Sequence, residues 1–230
     1  MNILLIETAT SVCSIALGVD GRVAAIRETD EPNAHSSKMN VFINELFEES
    51  GLKATDLTAV CVSGGPGSYT GLRIGVSGAK GLCYGLNIPL LAISTLKNMA
   101  AGYFQKHTDY KGLVCPMIDA RRMECYTAIY NPELEDIKPV TADIIEPNTY
   151  DMWLDNSQAM FVGDGASKTI SILGIHPNAS FDTDYRITAA SMLPLAEDMM
   201  KDGRREDTAY YEPFYLKDFV AKKSVVRGLC

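Results

Sequence analysis

The chain has 230 residues, 47% of them apolar and 22% charged, which excludes a disordered protein and leaves room for one large domain or two small lobes. Its 21 basic and 29 acidic residues give a net charge of −8, so the chain by itself is a poor binder of polyanions, whose affinity comes mainly from phosphate neutralisation. No apolar run approaches the length of a membrane span, and the opening MNILLIETAT lacks the basic segment of an export signal, so a cytoplasmic location with no membrane association is expected.

Residues 3–6 form a short apolar strand, Cys13 to Val19 a second, and Arg22 to Glu28 a third. Asp20-Gly21 between the last two is a strong hairpin signal. Residues 38–50 read as a helix: Met39, Phe42, Ile43, Leu46 and Phe47 fall at helical spacing and Gly51 stops it. A buried strand over 57–63 leads into a Gly-rich loop, then a helix from about Thr70 to Leu86. A strand over 89–93 follows, and Ser94 or Thr95 caps another helix. Residues 113–118 restart the strand pattern, with Cys125 to Tyr130 as the return strand. Residues 131–160, carrying Pro132, Pro139 and Pro147, read as loops and short elements. A last helix spans about Ala189 to Met200.

The second half repeats the first. With Glu7 placed on Asp119, an offset of 112 positions, Ile6 meets Ile118, Cys13 meets Cys125 and Leu17 meets Ile129. Each half is then strand, acid, polar turn, strand. Two such halves, each a mixed sheet flanked by helices, describe an α/β protein with a duplicated ribonuclease-H-like fold, the frame of actin-like ATPases. Lobes over 1–107 and 108–230 are expected, with the turns at Glu7–Ser11 and Asp119–Arg122 facing each other across the cleft between them.

Four motifs bear on chemistry. The loop Ser63-Gly64-Gly65-Pro66-Gly67-Ser68-Tyr69-Thr70 joins a strand to a helix start, and is either an anion site or a tight turn, the turn slightly favoured. It completes neither a Walker A loop nor G-x-G-x-x-G. The following helix carries Gly71, Gly75, Gly78, Gly81 and Gly85, each disfavoured by roughly 0.5–1 kcal/mol against Ala, so another backbone approaches it closely. That neighbour is either the chain's own sheet or neighbouring helix, or a partner's helix. In the paired turns, Glu7, Thr8, Thr10, Ser11, Asp119 and Arg121 are the candidates for holding a nucleotide and its Mg²⁺, against a purely structural ordering of the hairpins. Finally, His35 has Met39 rather than a second His one helical turn on, and the six cysteines include no C-x-x-C pair. No catalytic metal is therefore expected, and the thiols read as reduced and buried. No G-x-S-x-G elbow marks a serine nucleophile.

Ile3-Leu4-Leu5-Ile6-Glu7-Thr8-Ala9-Thr10 with Cys13-Ser14-Ile15-Ala16-Leu17, and above all Gly65-Pro66-Gly67-Ser68-Tyr69-Thr70-Gly71-Leu72-Arg73-Ile74-Gly75, resemble the TsaB (YeaZ) family. His35-Ser36, Ser94-Thr95-Leu96, Asp119 to Tyr126 and Pro213 to Lys217 carry the likeness over nearly the whole chain. The resemblance implies a cytoplasmic, non-catalytic subunit that activates the homologous enzyme TsaD, joined by the ATPase TsaE, in threonylcarbamoyladenosine formation on tRNAs reading ANN codons. TsaD carries a metal-binding H-x-x-x-H, while TsaB does not. The chain would need no cofactor of its own, ATP or ADP with Mg²⁺ entering with the complex. It would meet tRNA only through that complex, and pair with itself when TsaD is absent. The implied partner surface is the two helices, through Met39, Phe42, Ile43, Leu46, Phe47, Gly71, Gly75, Gly78 and Gly81. The family usually has Asp at Glu7 and Phe at Tyr69. An actin-like small-molecule phosphotransferase is the alternative, and a glycoprotease-like peptidase ranks last.

Overall fold

The computed structural model describes residues 1–217. In chain order the strands are β1 (Asn2–Glu7), β2 (Cys13–Val19), β3 (Arg22–Thr29), β4 (Ala59–Ser63), β5 (Leu90–Ile93), β6 (Leu113–Asp119), β7 (Glu124–Tyr130), β8 (Asp136–Ile144), β9 (Ala159–Val162) and β10 (Ala179–Asp182). The helices are α1 (Ala34–Ser50), α2 (Tyr69–Leu86), α3 (Thr95–Lys106), α4 (Asp151–Leu154), α5 (Ile170–Leu173) and α6 (Leu193–Lys201).

The strands form two five-stranded sheets, ordered β3-β2-β1-β4-β5 and β8-β7-β6-β9-β10. Renumbered within each half, both orders are 3-2-1-4-5, with the first three strands antiparallel and the rest parallel. This is the duplicated ribonuclease-H-like fold. The repeat is not in strict register: Glu7 lies opposite Ser14, but Asp119 lies opposite Cys125. The second hairpin closes one residue tighter, so the uniform offset holds along β1 and β6 and slips by one at the return strand.

Residues 131–160 are more regular than expected. Pro139 sits inside the nine-residue strand β8. It is tolerated because β8 is an edge strand, bonded only to β7, and the register shifts beside that position. Helix α1 begins at Ala34, before the first residue of its apolar stripe.

Packing divides the chain differently from 1–107 and 108–230. Alternation along β1 sends Leu4 and Ile6 to one face of the first sheet, under α1 and α2, and Ile3 and Leu5 to the other. That second face is closed by Met192, Leu193, Ala196 and Met199, which come from the far end of the chain. Conversely, Leu96, Met99, Ala100 and Tyr103 of α3, which follow the first sheet in sequence, pack on Val114, Ile118, Ala128 and Tyr130 of the second. Each lobe therefore borrows one helix from the other half.

The helical surfaces assigned to a partner are largely internal. Met39, Phe42, Ile43 and Leu46 are buried in the first lobe's own core, with Phe47 packed at its edge. A Cβ at Gly71 would clash with the Thr8 carbonyl oxygen, at Gly75 with Thr8 Oγ1, and at Gly78 with the Met39 side chain. Of the α2 glycines, only Gly81 and Gly85 have open space beside them among the described residues. Part of the outward face of α2 is also taken by the chain's own end. Lys80 Nζ donates to the carbonyls of Ala209 (3.1 Å) and Tyr211 (2.9 Å). Arg73 lies 4.3 Å over the Tyr69 ring, which in turn lies 4.8 Å from Tyr215. Cys13, Cys61, Cys83, Cys115 and Cys125 are free and buried, and Cys230 lies outside the described residues.

The glycine contrast is measurable. Gly75→Ala forces the β1–β2 turn away from α2 and should cost about 1–3 kcal/mol. Gly81→Ala removes only backbone freedom and should stabilise by roughly 0.5–1 kcal/mol. Urea unfolding of both variants checks the opposite signs.

Candidate functional site

The cleft between the lobes is a cavity of about 160 Å³. Thr10, Ser11 and Val12 from the β1–β2 turn line it on one side, Gly163 and Asp164 from the end of β9 on another, and the segment from Thr183 to Ile187 on a third. The turn is pinned from three directions. His35 Nε2 donates to the Thr10 carbonyl at 3.0 Å, and Ser68 N–H donates to the Ala9 carbonyl at 2.7 Å. The Thr8 hydroxyl donates to the Gly71 carbonyl at 2.8 Å.

Glu7 and Thr8, expected at the cleft, are fully buried beneath it. The Glu7 carboxylate accepts the Ala9 N–H at 2.8 Å on one oxygen and the Asn98 side-chain amide at 2.9 Å on the other. Asn98 also donates to the Thr188 carbonyl at 3.1 Å and accepts from Ser191 Oγ at 2.6 Å. A neighbouring chain of bonds joins the same segments: Thr188 Oγ1 donates to Glu28 Oε1 and Ala189 N–H to Ser14 Oγ. Glu7 thus sits where β1, the start of α3 and the segment leading into α6 meet. Burial drives its carboxyl up to about 7, against the opposing pull of its hydrogen bonds from Ala9, Ser63 and Asn98.

Of the expected residues, Thr10 and Ser11 reach the cleft. Asp119 is half exposed beside it, bonded to Lys168 and to the Arg121 N–H (2.9 Å). Burial alone would raise Asp119, but these bonds and the Lys168 and Arg121 charges hold it below the usual carboxylate range. Arg121 stands at the hairpin tip and does not line the cleft. Two acids line it: Asp30, paired with Arg186, and Asp164, which accepts the Asp119 N–H at 3.0 Å and is raised by desolvation. Sequence reasoning passed over Asp164. Its signal is Gly163-Asp164-Gly165 directly after the apolar strand Ala159–Val162, the counterpart of Gly64-Gly65 after β4.

The Gly-rich loop resolves as a tight turn. Its backbone bonds inward: Gly64 N–H to the Ile93 carbonyl, Thr95 N–H to the Gly65 carbonyl and Phe214 N–H to the Gly64 carbonyl. Ser68 caps α2 through the Gly71 N–H. The residues present do not fit a nucleotide with Mg²⁺. The cavity is smaller than the ~300–1,000 Å³ of ordinary ligand pockets, Glu7 is committed elsewhere, and the Arg186 guanidinium is paired with Asp30. Among the described residues no group of three His, Cys, Asp or Glu side chains could share a metal ion, and no helix is long and apolar enough to cross a membrane.

The family model of TsaD, tRNA N6-adenosine threonylcarbamoyltransferase, matches residues 29–224. The chain is 33% identical to the tRNA threonylcarbamoyladenosine biosynthesis protein TsaB of Escherichia coli, across 98% of both chains. It is 39% identical to TsaB of Bacillus subtilis over 60% of each. Among solved structures, YeaZ from Pseudomonas aeruginosa superposes with a TM-score of 0.83 at 26% identity, covering 94% of this chain and 99% of that one. A second Pseudomonas aeruginosa structure, described as similar to peptidase YeaZ, gives 0.84 at 25% over the same shares.

The Glu7 junction predicts a pH dependence. The folded carboxyl keeps its proton up to about pH 7, whereas the unfolded one loses it near 4.5. The unfolded state is therefore favoured progressively as pH rises through that window, by on the order of 3 kcal/mol in all. Urea unfolding at pH 5 and pH 8 should show wild type losing stability relative to Glu7→Gln. Parallel losses in the two proteins would remove Glu7 as the cause.

Proposed function

Because the chain belongs to the TsaB family, we propose that it is a non-catalytic subunit that pairs with TsaD in threonylcarbamoyladenosine formation on tRNA. The observation that carries this reading is the end-to-end likeness to Escherichia coli TsaB, joined to a site that has given up its catalytic geometry. The acid of the first hairpin is buried under the cleft, engaged on both oxygens. One turn after His35, where an H-x-x-x-H metal motif would need its second His, the side chain is Met39, buried in the core. The chain requires no cofactor, and any ATP or ADP with Mg²⁺ is held elsewhere in the complex with TsaD and TsaE. Its work is done in the cytoplasm.

The pairing surface is the outward side of α1 and α2, not the stripe buried beneath them. Gly81 has no described residue within contact distance, and Tyr84, one turn on, is 85% exposed. A bare backbone beside an exposed aromatic suits close approach by another helix. The same face would serve a second copy of this chain when TsaD is absent.

Two measurements test this. The purified chain with ATP, Mg²⁺ and small acceptors should turn nothing over, whereas adding it to TsaD, TsaE and the threonylcarbamoyl-adenylate synthase should start tRNA modification. A turnover by the chain alone near a typical enzyme's ~10 s⁻¹ would favour a phosphotransferase. Gly81→Leu should leave the melting temperature nearly unchanged while weakening TsaD binding at least about tenfold by overpacking. Normal binding by that folded variant would place the interface elsewhere.

A further inference from the structure

The hairpin between β6 and β7 turns through two consecutive non-glycine residues in the left-handed region, Arg121 (φ 69°) and Arg122 (φ 51°). Such a pair of positions favours Asn-Gly, and arginine has no local hydrogen bond to offset the conformation. The turn is nonetheless held firmly. Ala120 N–H donates to the Glu124 carbonyl at 3.1 Å, and Ile145 N–H to the Met123 carbonyl at 2.8 Å. Lys168 Nζ donates to the carbonyls of Arg122 (2.8 Å) and Glu124 (2.6 Å).

Among the described residues, the acids around the tip are bonded to lysines rather than to the arginine guanidiniums. Asp119 is paired with Lys168 and Glu124 with Lys217, each lysine arriving from a distant part of the chain. Asp164 lies behind Asp119, accepting its N–H. Both arginines are exposed, and neither guanidinium forms a hydrogen bond or ion pair with another described residue. On a chain of net charge −8, the hairpin presents two adjacent forks of N–H donors at its tip, on a rigid base and in a backbone geometry that disfavours them.

We propose that Arg121 and Arg122 contact the phosphate backbone of tRNA when this chain is assembled with TsaD, an inference that rests on the functional reading above. Guanidinium forks suit phosphate oxygens, and contacts of this kind position a nucleic acid without reading its sequence. Two such contacts are too few to make the acidic chain a tRNA binder alone, but they add to those of a partner.

The double variant Arg121→Asn, Arg122→Gly tests the site, because it gives the turn its preferred residues while deleting the donors. It should melt at a higher temperature than wild type. In the complex with TsaD, the Kd for a tRNA transcript should rise about tenfold, and the dependence of log Kd on log salt should become shallower by one to two units. A lower melting temperature, or an unchanged affinity and salt slope, overturns the proposal. Unchanged tRNA affinity with weakened TsaD or TsaE association also overturns it, assigning the arginines to a protein surface. If the wild-type complex neither binds nor modifies tRNA, the functional reading itself fails, which is a different result from a variant that behaves as wild type does.

Discussion

Each sheet is closed on one face by a helix from the other half of the chain, and this exchange constrains everything else. Without α6, the face bearing Ile3, Leu5, Cys61 and Leu91 would lie open; without α3, Val114, Ile118 and Tyr130 would. Burying a single large aliphatic side chain contributes about 1.5–3 kcal/mol, so neither lobe can lose its borrowed helix and keep its core. The two crossing segments must pass each other at one place. There Asn98 and Ser191, both buried, bond to each other and to Glu7 and Thr188.

The position of Glu7 follows from that crossing. A carboxylate at the end of β1 could have faced the cleft. Here it turns inward and ties the strand to both crossing segments, at the expense of desolvation that raises its affinity for a proton. The cleft keeps hydroxyls from Thr10 and Ser11 and two acids, Asp30 and Asp164, in a small space.

Much of this was legible in the sequence because it is local. The Asp20-Gly21 turn, the Ser94 cap and the alternating strands all depend on neighbours in the chain. The apolar stripe of α1 was also read correctly, but its assignment to a partner was not. Helical spacing shows which residues share a face, and says nothing of what covers it. The glycines of α2 divide in the same way: Gly71 and Gly75 admit Thr8, Gly78 admits Met39, and among the described residues only Gly81 and Gly85 remain open. The exchanged helices could not be read, because they join residues about ninety positions apart, as in the bond from Ser191 to Asn98. Asp164 was missed for the related reason that its role depends on a cleft formed by three distant segments.

The exchange predicts that the two lobes unfold as one unit. Trp153, the single tryptophan, reports on the second lobe, where its ring lies 6.1 Å from that of Tyr150. Cys61, buried in the first sheet under the borrowed helix, reports on the other. Tryptophan fluorescence and pulse labelling of the Cys61 peptide should be followed through one urea titration. Coincident midpoints are the expected result. Labelling of Cys61 at a clearly lower urea concentration than the tryptophan change, or the reverse, would show that each lobe stands without the other's helix and would contradict the account.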